Sequence, residues 1–240
     1  MALDTWPQLL CLDLDDTIIA YTEGAEASWR FLCEKYAART PGLGAETFGR
    51  ATDEVRAWYW SDPERHRQGR LDLLAARRQI LALTFARLQR PLPDWAEEMA
   101  AEYTTSREQG VQPFPGALEA LARLRRQSRH LALITNGHPR AQRHKIDRLA
   151  LAPFFDYILV EGEFGAGKPD EQVYRHVLAY FGVEAGAAWM VGDNLEWDVA
   201  APQRLGMGGI WVDYAGKGLP PGSNTRPDRT IRHLAELLPA

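Results

Sequence analysis

The 240-residue sequence contains only two cysteines, Cys11 and Cys33. They are too few for a framework of disulfides and have no metal-ligand spacing, so a disulfide-stapled secreted module and a thiolate zinc site are both excluded. A reducing, cytoplasmic setting is the expectation. Positive charge is also short: 28 Lys and Arg stand against 32 Asp and Glu, for a net charge of −4 and a pI near 5.9. A nucleic-acid surface must neutralise several phosphates with clustered Lys and Arg, so nucleic acid is not expected as a main partner. No run of 18 apolar residues occurs, and the opening stretch MALDTWPQLL lacks a basic segment followed by an apolar one. The expectation is a soluble chain, neither exported nor membrane-spanning. Internal repeats and low-complexity tracts are absent. What is present is 45% apolar residues with 10% aromatics, enough to build a buried core.

Short apolar runs that end in polar residues recur: LLCLDLD (9–15), HLALITN (130–136), YILVEG (157–162), AWMVGD (188–193) and GIWVD (209–213). They read as buried strands. Helical patterns over 115–127, 140–150, 170–181 and 197–205 alternate with the later ones, which predicts an α/β fold with a doubly wound parallel sheet covered on both faces. The interval from about 20 to 110 breaks the alternation. It reads as four helices, 24–39, 45–60, 70–88 and 94–107, separated by TPGLG, SDPERHRQG and QRPLP. An insertion of that size is too long for a crossover, so the expected organisation is a Rossmann-like core, 1–19 and 110–240, with a second, smaller all-helical domain at 20–109.

One stretch, GEFGAGKPD at 162–170, almost spells a nucleotide-binding phosphate loop. That loop needs Ser or Thr after its lysine, for the metal, and sits behind the first strand. Here Pro169 follows Lys168, with neither hydroxyl nor N–H to offer. The lysine must serve something else. In an open parallel sheet, ligands bind beyond the carboxyl ends of the strands. The first strand ends with Asp13 and Asp15, two apart and on one side. The fourth ends at Asp193, with Asp198 near the first turn of the next helix. Carboxylates about 4 Å apart repel by roughly 4 kcal/mol at an effective dielectric of 20, so such a cluster calls for a hard, oxygen-seeking cation such as Mg²⁺. The second strand ends in Thr135 and Asn136 at a helix start, a setting that suits an anion. Carboxylates, a cation, a lysine and hydroxyl donors together describe phosphoryl transfer, with Asp13 as nucleophile.

DLDDT (13–17), ITNG (134–137), GKPD (167–170) and GDNLEWD (192–198) resemble the four ordered motifs of the haloacid dehalogenase-like hydrolase superfamily, and the match spans residues 9 to about 213. The resemblance implies that Asp13 forms an aspartyl-phosphate and that Asp15 acts as general acid and then general base. It implies that Thr135 and Lys168 hold the phosphoryl group, and Asn136, beside Thr135, is expected to bind the phosphate with them. Mg²⁺ would be held by Asp13, the backbone carbonyl of Asp15 and Asp193, with Asp198 supporting. The insertion is similar to the family's helical cap that follows the first motif. The activity so implied is hydrolysis of a small phosphorylated metabolite. A phosphomutase of the β-phosphoglucomutase kind is the alternative, and 2-haloacid dehalogenation is disfavoured because its enzymes generally lack the counterpart of Asp15. The specific substrate and the oligomeric state are left open.

Further residues have ordinary explanations. Asp16 and Thr17 suit first-turn and orienting roles, and His138 a solvated loop. Trp58, Tyr59 and Trp60 with Arg65, Arg67 and Arg70 could form a substrate lid, but buried aromatics beside a solvated basic loop explain them as well. Tyr21, Glu23 and Trp29 are equally explained by helix packing.

Overall fold

The computed structural model describes residues 5–238; the outermost residues of the core delimited above, 1–4 and 239–240, lie outside the described residues. The chain divides into two compact units, one formed by the segment up to Tyr21 with the segment from Gln112 onward, the other by Thr22–Val111.

The second unit is helical, with α1 (Ala25–Ala37), α2 (Ala45–Ser61), α3 (Pro63–Leu71), α4 (Leu73–Arg87) and α5 (Ala96–Gly110). Trp29, Leu32, Cys33 and Tyr36 recur at the spacing that lines one face of a helix, and that face of α1 is buried. They join Phe48 of α2, Leu81 and Phe85 of α4, and Trp95, Met99 and Tyr103 in one core. Burying a side chain such as Phe48 or Phe85 stabilises a fold by about 1.5–3 kcal/mol. The rings also meet at favourable angles, Trp29 stacked on Tyr103 at 4.2 Å and Phe85 edge-on to Trp95 at 5.5 Å. SDPERHRQG, expected to separate two helices, instead forms most of α3. Its start is secured by Asp62, whose side chain accepts from Arg65 N at 2.8 Å, and by Pro63 at the first helical position. Only Gly69 of α3 is buried, so the helix carries no apolar periodicity by which to find it.

The first unit contains β1 (Leu9–Leu12), β2 (His130–Thr135), β3 (Tyr157–Val160), β4 (Ala188–Gly192), β5 (Gly208–Val212) and β6 (Arg229–Ile231) in a single sheet of order β3-β2-β1-β4-β5-β6. Every neighbouring pair is parallel. Its helices are α6 (Ala117–Gln127), α7 (Pro139–Arg148), the one-turn α8 (Glu161–Phe164), α9 (Glu171–Phe181) and the short α10 (Ala201–Arg204). All four residues of β1 are buried, as expected of a central strand covered on both faces. Leu9 and Cys11 pack with Ala132 and Ile134 of β2, Met190 of β4 and Val173 and Val177 of α9. Burial pushes the Cys11 thiol up to about 12, which leaves it a core group without nucleophilic character.

Elements of this unit also depart from the sequence expectation. The helix anticipated over 197–205 is a wide π-type turn, Leu195–Ala200, that runs into α10. β6 was not anticipated: it has three residues, two of them exposed, and so no apolar run. Among the described residues no helix is long and apolar enough to cross a membrane.

Candidate active site

β1 lies between β2 and β4, and the strand order reverses there. Chains leaving neighbouring strands at such a point diverge and open a crevice beyond the carboxyl ends. Asp13 follows the last residue of β1, and its N–H donates to Val191 O of β4 at 2.9 Å. The chain then turns sharply: Asp16 adopts φ 57°, and its N–H donates to Ile19 O at 2.7 Å. Aspartate tolerates this left-handed backbone better than most residues. The turn returns Thr17 beneath Asp13, where its hydroxyl donates to Asp13 Oδ2 at 3.1 Å.

Across the crevice, Asn194 accepts from Glu196 N and Trp197 N and so starts the π-type turn. The wide turn brings Asp198 back over β4. Gly192 makes this approach possible, because a Cβ there would lie 2.2 Å from the Asp198 carboxyl. One carboxylate oxygen from each of Asp13, Asp193 and Asp198 falls within a 4.8 Å group.

Lys168 enters from the loop between α8 and α9. It is 1% exposed, and its Nζ donates to Asp13 Oδ1 at 2.7 Å and Asp198 Oδ1 at 2.6 Å. Burial alone would push the ammonium down, but the two carboxylates outweigh it and hold its pKa above the ordinary lysine value. Lys168 therefore stays charged. Asn136 fixes its backbone: Lys168 N donates to Asn136 Oδ1 at 2.8 Å, and Asn136 Nδ2 donates to Lys168 O at 2.7 Å. Glu161, 4% exposed, accepts from Gly137 N at 2.8 Å, which ties the loop after β2 to α8. Gly167 lets that carboxyl sit close, since a Cβ there would fall 2.4 Å from it.

Lys168 leaves negative charge over. Burial raises the Asp13 carboxyl pKa, Lys168 pulls it back, and Asp198 raises it again. The Asp193 carboxyl is pushed well above the ordinary aspartate value, first by burial and then by the charges of Asp13 and Asp198. Three carboxylates in one small volume with one lysine are the donor set of a hard divalent cation, and these residues fit one. The fit distinguishes their roles. Both Asp198 oxygens already accept, from Lys168 Nζ and from Asn194 N at 3.0 Å, whereas the Asp193 carboxylate has no protein donor among these bonds.

Not every expected site residue joins this cluster. Asp15 lies outside the group of three. Its Oδ atoms both accept from Lys145 Nζ at 2.7 Å, and Gln142 Nε2 donates to Oδ2 at 3.0 Å. The Thr135 hydroxyl, at the end of β2, accepts from the same Gln142 Nε2. Asn136, expected on the phosphate side, has both ends of its amide on the lysine loop. His138 starts α7, its Nδ1 accepting from Arg140 N at 3.1 Å. Trp29 and Tyr59 are buried, while Trp58 is exposed with the Arg65 guanidinium 3.8 Å from its ring centroid. Sequence reasoning missed Gln142, Lys145 and Glu161. All three are polar residues on helices, where charge ordinarily marks a solvated face.

A parallel sheet whose switch point gathers three aspartates and a buried lysine defines an α/β protein with a carboxylate-rich centre beyond its strand ends. The chain matches the haloacid dehalogenase-like hydrolase model over residues 7–206, and it belongs to that family. It is 38% identical over 146 residues to a phosphoserine phosphatase of Thermus thermophilus, a match that covers 60% of this chain and 57% of that one. It is 30% identical over 207 residues to a glyceraldehyde 3-phosphate phosphatase of Pyrococcus abyssi, covering 86% and 82%. Among solved structures, the HAD-hydrolase YfnB of Bacillus subtilis, bound to magnesium, superposes with a TM-score of 0.72 at 22% identity and 97% coverage of both chains. That likeness supports the fold.

Proposed function

We propose that this protein is a Mg²⁺-dependent phosphomonoester hydrolase that acts on a small phosphorylated metabolite through an aspartyl-phosphate. The observation that carries the reading is the buried Asp13 carboxylate, held 2.7 Å from Lys168 Nζ and grouped with Asp193 and Asp198, in a chain whose relatives are named phosphatases.

Asp13 attacks phosphorus, the bond from phosphorus to the ester oxygen breaks, and Asp15 gives a proton to the departing alkoxide. Water then attacks the aspartyl-phosphate and passes a proton to Asp15. The bond from phosphorus to Asp13 breaks, releasing phosphate and restoring the carboxylate. Lys168 faces the phosphoryl oxygens, where a fixed charge in a buried site is worth most. Thr135 supplies a hydroxyl on the phosphate side, and Asn136 serves by keeping the lysine loop in place. Asp13, Asp193 and the backbone carbonyl of Asp15 would hold Mg²⁺, with Asp198 supporting. Bound there, the ion supplies neutralising charge for the carboxylates and the phosphoryl group. The helical unit takes the part of the family's cap, which selects the leaving group.

The test is release of inorganic phosphate from a panel of metabolites, with and without Mg²⁺, compared as kcat/KM. Mg²⁺-dependent release that Asp13→Asn abolishes is expected, and full activity in that variant sinks the assigned nucleophile. Phosphate moved between positions of one sugar, with none released, would make the enzyme a mutase.

A further inference from the structure

Two polar side chains on α7 are buried without any part in the chemistry assigned so far. Gln142 and Lys145 stand three residues apart, on one face of the helix, and are 3% and 4% exposed. Lysine is almost never buried so deeply unless paired, and its partner here is Asp15, both of whose oxygens accept from Nζ at 2.7 Å. The ammonium also lies 4.3 Å from the centroid of the Tyr21 ring, a cation–π contact that steadies it further. Gln142 Nε2 directs one proton to Asp15 Oδ2 and the other to the Thr135 hydroxyl. An amide nitrogen has two protons, so Gln142 ties the carboxylate after β1 to the hydroxyl at the end of β2.

We propose that Lys145 and Gln142 are positioning residues that hold the Asp15 carboxylate as proton acceptor for the hydrolytic half of the reaction. The inference rests on the phosphatase reading above. Its physical basis is which oxygen positions are taken. Oδ2 accepts from both clamp residues, while Oδ1 accepts from Lys145 alone among the described residues. The Asp15 side chain is 25% exposed, and Oδ1 keeps one acceptor position that no protein donor among the described residues takes. The carboxylate is thereby fixed in plane and rotation with an acceptor position left over, the arrangement needed to take a proton from the water that attacks the aspartyl-phosphate. In that step the O–P bond from water forms, the bond from phosphorus to Asp13 breaks, and the proton of water passes to Asp15. Removing the clamp leaves Asp15 in place but free to turn, so the second half-reaction should suffer more than the first.

The test is pre-steady-state kinetics of the full-length protein with p-nitrophenyl phosphate and Mg²⁺. Its good leaving group departs without help from an acid, so kcat/KM reports formation of the aspartyl-phosphate and kcat its hydrolysis. For Lys145→Met, kcat is expected to fall about 10- to 100-fold, a share of the roughly 10²–10⁴-fold that a positioned proton acceptor supplies. kcat/KM should change little, and a burst of p-nitrophenol equal to the enzyme concentration should appear. Lys145→Arg, which keeps a donor for Asp15, should recover part of kcat. A rise in KM at unchanged kcat would show that Lys145 binds the substrate's anion instead. A loss of melting temperature with wild-type kinetics would reduce it to a structural role. Either overturns the proposal. Should Lys145→Met not fold, Gln142→Met carries the test: a burst with lowered kcat supports the clamp, and burst-free turnover at the wild-type rate refutes it. If the wild-type protein releases no phosphate from any ester, the phosphatase reading fails, a result distinct from wild-type turnover with a Lys145 variant that behaves normally.

Discussion

Asn136 and Lys168 are joined by a reciprocal pair of hydrogen bonds. The asparagine carbonyl accepts from Lys168 N at 2.8 Å, and its amide donates to Lys168 O at 2.7 Å. The asparagine follows β2 while the lysine sits in the loop between α8 and α9, so this pair fixes how far Nζ reaches toward Asp13.

The first prediction concerns that pair. Asn136→Ala should let the loop relax and leave two backbone groups of Lys168 in search of new partners. A misplacement of about 1 Å at a reacting centre can cost on the order of 100-fold, so kcat/KM should drop about 10- to 100-fold. Stability should fall by about 1–2 kcal/mol, the usual cost of lost buried hydrogen bonds. Steady-state kinetics and thermal melts measure the two effects. A variant with normal kcat/KM would show that Lys168 holds its position without Asn136.

A second prediction separates stability from function at Asp193. Its pKa is raised well above the ordinary aspartate value by burial, then by Asp13 and Asp198. For an acid so raised, the folded state binds the proton more tightly than the unfolded one. Stability is therefore full below the unfolded value of 3.8 and declines as pH rises toward the folded pKa. Above that unfolded value and without divalent ions, the buried carboxyl therefore costs the fold. Asp193→Asn should remove that cost, so the metal-free variant should melt above the metal-free wild type. Mg²⁺ should raise the wild-type melting temperature, by an amount equivalent to about 2.7 kcal/mol at 100 times its Kd, and should leave the variant nearly unchanged. Calorimetry with and without EDTA checks this. A variant that melts lower and still responds to Mg²⁺ would remove Asp193 from the ion's site.

How far the sequence discloses all this depends on which residues carry the signal. Asp13, Lys168, Asp193 and Asp198 were legible because strand ends are easy to locate and because carboxylates there are chemically unusual. The structure brings these four together. The five anticipated strands were legible for a related reason, since a central parallel strand is a continuous apolar run. Gln142 and Lys145 were not legible. α7 reads PRAQRHKIDR, with Ile146 as its one large buried apolar residue, and nothing in that pattern marks Gln142 and Lys145 as buried beside it. α3 and β6 were hidden by the same shortage of apolar residues. Asn136 was found but its bonds to Lys168 were not, because a hydrogen-bond partner distant in sequence cannot be read from spacing.

The last prediction lies in the helical unit and turns on acid. Glu102 accepts from Lys35 Nζ at 2.7 Å and from the Tyr36 hydroxyl at 2.7 Å. Glu98 accepts from Arg39 at 2.9 Å and from the same hydroxyl at 3.0 Å. The bond from Lys35, then that from Tyr36, holds the Glu102 carboxyl below its ordinary value, and Arg39 followed by Tyr36 does the same for Glu98. Burial, then the bonds to Glu102 and Glu98, pushes the Tyr36 phenol up, so it stays protonated and donating. A carboxyl with a depressed folded pKa adds stability that is fully present above the unfolded value of 4.5 and is lost as pH falls through the folded pKa. Glu102→Gln keeps the shape but loses the charge. It should lower the melting temperature near pH 7, and the gap to wild type should close as the pH drops below about 4, when the wild-type carboxyl also takes up its proton. High salt should narrow the gap at pH 7, because the Lys35 and Glu102 side chains are 42% and 33% exposed and screening reaches them. Melts followed by circular dichroism from pH 7 to 3 decide the matter. A gap that persists unchanged at pH 3 would mean that the glutamate acts through packing and hydrogen-bond geometry rather than charge.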